Sequence, residues 1–323
     1  MELFKYRGNF GRDLISLSLN QIYAPTYDRL NDPFEGMMDF SEDYKTLEFL
    51  KSLNGNDNLK VAYDAIVEEL KYKGVYSLSR DFKNEILWSL YANGHEGFVI
   101  GYNVDKLLED INFNKEITLA NILTVGYETK PKGLLRWRDL PYNGLNLSNA
   151  IGIKSKNWEY ENEVRIIFEQ NGITEYNYQA VSRIIFGMRS AESDIVNTMK
   201  LLKGRNYRYQ RIVKQESSFE LDLEELPDVC DNGLTYRQNL AKFDESLISA
   251  ENIEYGNLKT LADIKDVINS IRGLPNITEI TSVNLDSENS PEILNIFCNH
   301  SHKNLPVRFF QFQKCINGFK QIN

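Results

Sequence analysis

Cysteine and histidine are scarce, with three of each in 323 residues. Cys230, Cys298 and Cys315 all fall in the last third, without the paired spacing of a zinc site, so neither a disulfide framework nor structural zinc is expected. That usage fits a reducing cytoplasm. Long apolar runs are missing too, and none approaches the roughly 18 residues of a membrane span. The opening Met1-Glu2-Leu3-Phe4-Lys5-Tyr6-Arg7 has neither the basic nor the apolar region of a signal peptide. The expectation is a cytoplasmic protein with no membrane partner. Net positive charge is also absent: 46 acidic against 37 basic residues give a formal charge of -9, which excludes a nonspecific nucleic-acid binder and leaves only a local basic groove. There is no internal repeat, low-complexity run, glycine-rich phosphate loop or nucleophile elbow.

What is present supports a folded core, since 42% of the residues are hydrophobic. Strands are expected at Leu3 to Arg7, Ile22 to Ala24, Gly74 to Ser79, Gly97 to Tyr102, Ile122 to Tyr127, Val181 to Phe186 and Tyr207 to Val213. Helical stripes are expected at Phe40, Tyr44 and Leu47, at Leu59, Ala62, Ile66 and Leu70, from Asn84 to Tyr91, from Val104 to Leu108 and near Ala191 to Leu202. Asn31-Asp32-Pro33-Phe34-Glu35-Gly36 reads as turn chemistry. Lys130 to Gly144 reads as an irregular stretch around Trp137, and Glu216 to Asp231, acidic and carrying Pro227, as a linker or an edge crossing into a second unit. Beyond it, a helix carrying Leu258, Leu261, Ile264, Ile268 and Ile271, a strand near Ile277, a helix from Pro291 to Cys298 and a strand near Val307 are expected. The predicted architecture is mixed α+β, with a strongly bent or split sheet and flanking helices over residues 1–222 and a small α/β or α+β appendage over 223–323.

One stretch organises the reading. Lys154 to Phe168 alternates so that, in a single strand, Trp158, Tyr160, Val164, Ile166 and Phe168 share one face while Glu159, Glu161, Glu163 and Arg165 share the other. Three carboxylates and a guanidinium side by side are costly to bury. The row reads either as a solvated polar face or as the acidic part of a pocket.

Several segments in order resemble the bacterial family known as domain of unknown function 2971, over roughly residues 1 to 215. They are Tyr6-Arg7, Asn31-Asp32-Pro33-Phe34-Glu35, a strand carrying Ser77 and Ser79, then Trp88, Tyr91, His95, Gly97 and Phe98. Lys154, Trp158, Tyr160, Glu161, Glu163 and Arg165 follow, with Phe186-Gly187 last. Leu90 stands where many relatives carry a polar residue. The layout is more faintly similar to ADP-ribosyltransferases, which implies an NAD-using transferase, with a role in bacterial defence against phage or in toxin biology. That likeness implies Glu163 as the catalytic carboxylate and Glu161 as the group that orients the acceptor, with one of the two raised in pKa by the other. It implies Arg7 as cofactor anchor beside Tyr6, Ser77 or Ser79 at the ribose, Tyr91 as the stacking ring and His95 as a nearby acid or base. Asn31, Asp32 and Glu35 shape the rim.

Each residue also has a plainer reading. Arg7 pairs with Glu35 or Glu161 in a structural bridge, Tyr6 and Trp158 pack in the core, Asn31-Asp32 only turns the chain, and Arg165 neutralises the acidic row. Three functions follow from these alternatives: an NAD-dependent transferase acting on a protein or nucleic-acid acceptor, a non-catalytic sensor of a nucleotide or partner, and a metal-dependent nuclease using Asp32, Glu35, Glu161 and Glu163.

Overall fold

A computed structural model describes residues 1–109, 111, 120–135, 148–231, 233, 236, 240–248, 258–274, 277–286, 292–300, 306–316 and 318–322. The chain forms two compact units, Met1–Thr174 with Tyr178–Leu234, and Glu175–Asn177 with Thr235–Asn323. Among the described residues no helix is long and apolar enough to cross a membrane.

The strands up to residue 226 are β1 (Glu2–Arg7), β2 (Gln21–Ala24), β3 (Gly74–Ser79), β4 (Phe98–Asn103), β5 (Ala120–Thr124) and β6 (Gly126–Glu128). Then come β7 (Ile153–Ser155), β8 (Glu163–Phe168), β9 (Gly172–Glu175), β10 (Val181–Phe186), β11 (Arg208–Lys214) and β12 (Leu221–Leu226). Between them lie α1 (Phe10–Ser18), α2 (Phe40–Asn54), α3 (Asn58–Leu70), α4 (Glu85–Tyr91), α5 (Val104–Glu109), α6 (Ser148–Ile151) and α7 (Glu192–Leu201). Eight strands make one open, bent sheet in the order β12-β11-β10-β4-β1-β3-β8-β5. Its one parallel pair, β10 with β11, is connected through α7, as parallel neighbours require a crossover. The architecture is therefore mixed α+β, as the sequence predicts.

The sheet forks at its centre. β1 pairs with β4 along its whole length, from Glu2↔Asn103 to Arg7↔Phe98, but meets β3 only at Phe4↔Ser79. β3 is bonded instead to β8, from Gly74↔Phe168 to Ser79↔Glu163. Past Phe4 the two halves part, and the edge of β3 that faces β1 has ladder groups left to satisfy.

Packing holds both sides of the fork. Asn84 caps α4 by accepting from the N–H groups of Ile86 and Leu87, and Leu87 and Trp88 then pack with Tyr6, Val99, Ile185 and Ile212. α2 and α3 form a packing layer with Leu134, Ala150 and Ile151. The buried face of α3 is rolled from the expected stripe, since Tyr63 and Leu70 are inside while Leu59 is 50% exposed. The cause is polar: the Tyr63 hydroxyl donates to Asp43 of α2 at 2.6 Å, and Asp43 also accepts the N–H groups of Leu134 and Leu135. Burial of one bonded tyrosine outweighs exposure of a leucine.

Three expectations are corrected. Lys154 to Phe168 is not one strand but β7, a 3-10 turn over Lys156–Glu161, and β8, with Asn162 between them at φ 44°. Asparagine is among the few residues that adopt this left-handed conformation cheaply. The acidic run near residue 222 is not a bare linker, because β12 forms the sheet edge against β11 with Asp222 and Glu224 exposed. Of the expected helix from Pro291 to Cys298, Pro291 lies outside the described residues and Ile293 to Cys298 belong to a strand, Ile293–His300. Irregular Lys130 to Gly144 lies outside the described residues beyond position 135, Trp137 included.

The second unit carries α8 (Leu258–Arg272) and a four-stranded antiparallel sheet of β13 (Ile277–Asp286), β14 (Ile293–His300), β15 (Val307–Cys315) and β16 (Gly318–Gln321), in that order. In β14 the buried residues are Leu294, Ile296, Cys298 and His300, a period of two that suits a half-covered strand. Ile264, Val267, Ile268 and Ile271 of α8 share a core with Ile280, Val283, Leu294, Ile296, Phe310 and Phe312.

Candidate functional site

A cavity of about 650 Å³ opens at the fork. Its lining comes from β1 (Phe4, Lys5, Tyr6, Arg7), β3 (Ser77, Leu78, Ser79), α4 (Leu87, Tyr91), β7 (Lys154), the turn before β8 (Glu161) and β8 itself (Glu163). Arg12 of α1 and the loop residues Arg29, Leu30, Asn31 and Glu35 complete it.

On the β8 side, three buried carboxylates share two buried cations. Arg165, with no exposed surface, donates from Nε to Glu163 Oε1 at 2.8 Å, from Nη2 to Glu35 Oε1 at 2.6 Å and from Nη1 to the Ile151 carbonyl at 2.7 Å. A planar guanidinium suits such a divided load. Lys154 Nζ lies 2.6 Å from Glu161 Oε2, 3.2 Å from Glu163 Oε2 and 3.5 Å from Glu35 Oε1, and 4.7 Å from the Trp158 ring centroid. The Tyr91 hydroxyl donates to Glu161 Oε1 at 2.7 Å and receives the Asn31 amide at 3.4 Å. Glu35 Oε2 is buried with no partner.

The two neighbouring glutamates are pushed apart electrostatically. Burial opposes ionisation of Glu163, but the Arg165 guanidinium, then Lys154 and the Ser77 hydroxyl, override it and bring the carboxyl down to about 2. Burial raises the Glu161 carboxyl above its ordinary range, and Lys154 and Tyr91 offset only part of that. The expected cause, repulsion between the pair, is present but smaller than burial. One carboxylate is thus held ionised while its neighbour holds its proton more tightly, the pattern of paired groups with different tasks.

On the β1 side the lining is cationic. Lys5 Nζ donates to the Ser77 carbonyl at 2.7 Å, capping a ladder acceptor that β1 does not reach, and lies 4.8 Å from the Tyr76 ring centroid. Arg7 donates to the Tyr76 hydroxyl at 3.3 Å and sits 3.9 Å from Asp13. The anticipated bridge from Arg7 to Glu35 or Glu161 does not form, because both acids are taken by Arg165 and Lys154.

Most of the residues singled out in the sequence line this cavity: Glu161, Glu163, Arg7, Tyr6, Ser77, Ser79, Tyr91, Asn31 and Glu35. Tyr6 packs edge-on against Trp88, as its plainer reading has it, and its hydroxyl donates to the Asp81 carbonyl at 2.8 Å. The Ser79 hydroxyl is taken by backbone groups, donating to the Glu161 carbonyl at 2.7 Å and accepting the Asp81 N–H at 3.1 Å. Asp32 lies outside the lining, one oxygen accepting from the Phe34 N–H at 3.0 Å and the other buried without a partner. His95 also lies outside, its ring stacked on Trp88 at 6.0 Å, and burial lowers its imidazolium below its ordinary value. Lys5, Lys154, Arg12 and Arg29 were given no role in the sequence. The readable signal for Lys5 is its two-residue spacing from Arg7, a cationic pair of one parity on β1.

Two glycines of the resembling motifs fix where Arg7 ends. A Cβ on Gly97 would collide with the Arg7 carbonyl, and one on Gly187 with the His95 carbonyl, while the Gly187 N–H donates to the Gly97 carbonyl at 2.8 Å. Gly187→Ala is expected to cost about 3 kcal/mol, the scale of severe overpacking, read as a lowered midpoint in urea unfolding. An unchanged midpoint contradicts the close approach.

Comparison with known proteins gives one family. Residues 87–166 match the sequence model of the family described as protein of unknown function (DUF2971). The matched range contains Trp88, Tyr91, Glu161, Glu163 and Arg165, and ends before Phe186-Gly187. No curated protein and no solved structure matches the chain. The fainter likeness to ADP-ribosyltransferases therefore rests on the order of residue types along the strands, with no structural match behind it.

Proposed function

We propose that the cavity at the fork is the active site of an ADP-ribosyltransferase-like enzyme that uses NAD. The observation that carries this reading is the division of the lining into cations from β1, α1 and the Tyr27–Arg29 turn and carboxylates from β8 and the turn before it. The residues present fit such a donor: Lys5, Arg7, Arg12 and Arg29 suit a diphosphate, the Tyr91 ring suits an aromatic base, and the unpartnered Glu35 Oε2 is an acceptor for a hydroxyl or amide N–H. NAD supplies the glycosidic bond whose cleavage leaves positive charge on the ribose. Glu163, its carboxyl held well below the ordinary range by Arg165 and Lys154, stays ionised near neutral pH and is a fixed negative charge for that site. Glu161, with its raised carboxyl and its bond from Tyr91, is suited to take a proton from the acceptor.

The metal-dependent nuclease has less support. Lys154 Nζ lies within 3.5 Å of Glu35, Glu161 and Glu163, where a divalent ion would have to sit. No group of three acidic, histidine or cysteine side chains among the described residues is arranged to hold a metal. The sensor reading is favoured by one observation, the close pairing of Glu163 with Arg165.

Incubation of the whole chain with NAD, and separately with Mg²⁺ and nucleic acid, separates the three. Nicotinamide release that is lost in Arg7→Ala supports the transferase. Tight ligand binding without release supports the sensor, and metal-dependent cleavage the nuclease.

A further inference from the structure

We propose that Lys5 is a nucleophilic amine that captures the carbonyl carbon of a phosphorylated aldehyde entering the cavity. Lys5 lines the cavity, and its Nζ lies at the carbonyl of Ser77, another lining residue. It is an unusual lysine for its surroundings: its Nζ donates to the Ser77 carbonyl, and among the described residues no carboxylate lies within salt-bridge distance of it. Ammonium groups drawn out of water are tolerated when a carboxylate pairs with them, and this half-buried one has only a carbonyl. The groups that bear on it are Arg7 of the same strand, Asp13 of α1, the Tyr76 ring of β3, and Glu161 and Glu163 across the fork. Burial, then the positive charge of Arg7, bring its ammonium down to about 7, so about half of the molecules carry the free amine near neutral pH. Free amines desolvated beside a second cation are the form in which lysine acts as a nucleophile. Arg7, Arg12 and Arg29 line the same cavity and select for an anion, which makes a phosphate-bearing aldehyde the fitting class.

The step balances without a redox partner. The amine lone pair attacks the carbonyl carbon, a C–N bond forms, and a proton moves from nitrogen to oxygen to give the carbinolamine. Loss of one water, with Glu161 as the acid in the same cavity, gives the imine. The inference does not depend on NAD as the donor.

Pyridoxal 5′-phosphate is the probe, with cyanoborohydride to fix the imine and peptide mass spectrometry to locate it. At pH 7.5 Lys5 is expected to react about tenfold faster than the exposed Lys45, because the far larger share of free amine, several hundred-fold on the ordinary lysine scale, outweighs the lower intrinsic nucleophilicity of a less basic amine. Its rate should reach half its maximum near pH 7, where a surface lysine would need a pH near 10. Pyridoxal without the phosphate, or the Arg7→Ala chain with the phosphorylated probe, should lose most of the preference. Lys5→Arg keeps the hydrogen bond to Ser77 and should remove the labelled peptide without lowering the urea midpoint. Labelling of Lys5 no faster than of Lys45, or equal labelling by pyridoxal with and without phosphate, overturns the proposal.

Discussion

Arg165→Met is expected to cost about 3–5 kcal/mol, enough to remove much of the stability of an ordinary domain. Methionine fills most of the volume but leaves Glu35 and Glu163 buried with only Lys154 between them, and the Ile151 carbonyl without its donor. Arg165→Lys keeps the charge but serves fewer partners, so an intermediate loss is expected. Urea unfolding of the wild type and both variants orders them. The pH dependence adds a signature. The folded carboxyl of Glu163 lies near 2 against an ordinary 4.5, so its contribution is full above about 4.5 and is lost as pH falls toward 2. The difference is on the order of 3 kcal/mol. Glu161, raised in the folded chain, works the other way: it favours the fold at acid pH, and that contribution is lost as pH climbs through its raised value. In Arg165→Met the acid dependence due to Glu163 should largely vanish.

Glu163→Gln is expected to reduce nicotinamide release by about 10²- to 10³-fold, the usual effect of removing one electrostatic partner of a developing charge. Glutamine keeps an oxygen for Arg165 but gives up the charge, so the urea midpoint should fall as well, and release is compared on protein whose far-UV circular dichroism matches the folded wild type, which separates lost chemistry from lost structure. Glu161→Gln should behave differently. Loss of a proton-transfer group lowers acceptor modification by about 10²-fold or more, while hydrolysis of the donor in the absence of acceptor is less affected. Full turnover in Glu163→Gln together with Arg7→Ala means the site is wrongly assigned.

Much of this site is readable in the chain because strands obey parity. Ser77 and Ser79 of β3 stand opposite Arg165 and Glu163 of β8, so alternate residues picked from sequence converge in space. The split sheet is also foreseeable as an architecture, but its position is not. The parting of β1 from β3 after Phe4 opens the space that Phe4, Lys5, Tyr6 and Arg7 line. Lys5 shares its parity with Arg7, but that the pair faces a cavity is decided by the fork. Glu161 was grouped with Glu163 for the wrong reason: the 3-10 turn and the left-handed Asn162 deliver it, not a continuous strand. Lys154 is visible as a motif residue, yet its contact with three glutamates requires β7 to return beside β8, a tertiary event. The expected helix at residue 291 failed because a short apolar run is ambiguous between periods, and pairing with β13 and β15 decided it.

The central claim is that the fork binds an anionic nucleotide between the cations of β1 and the carboxylates near β8. Calorimetric titration of ADP-ribose into the full chain and into Arg7→Ala tests it most directly. Saturable one-site binding weakened about tenfold or more in Arg7→Ala, as loss of a charged hydrogen bond predicts, supports the account. Absence of binding, or equal affinity in the two chains, contradicts it.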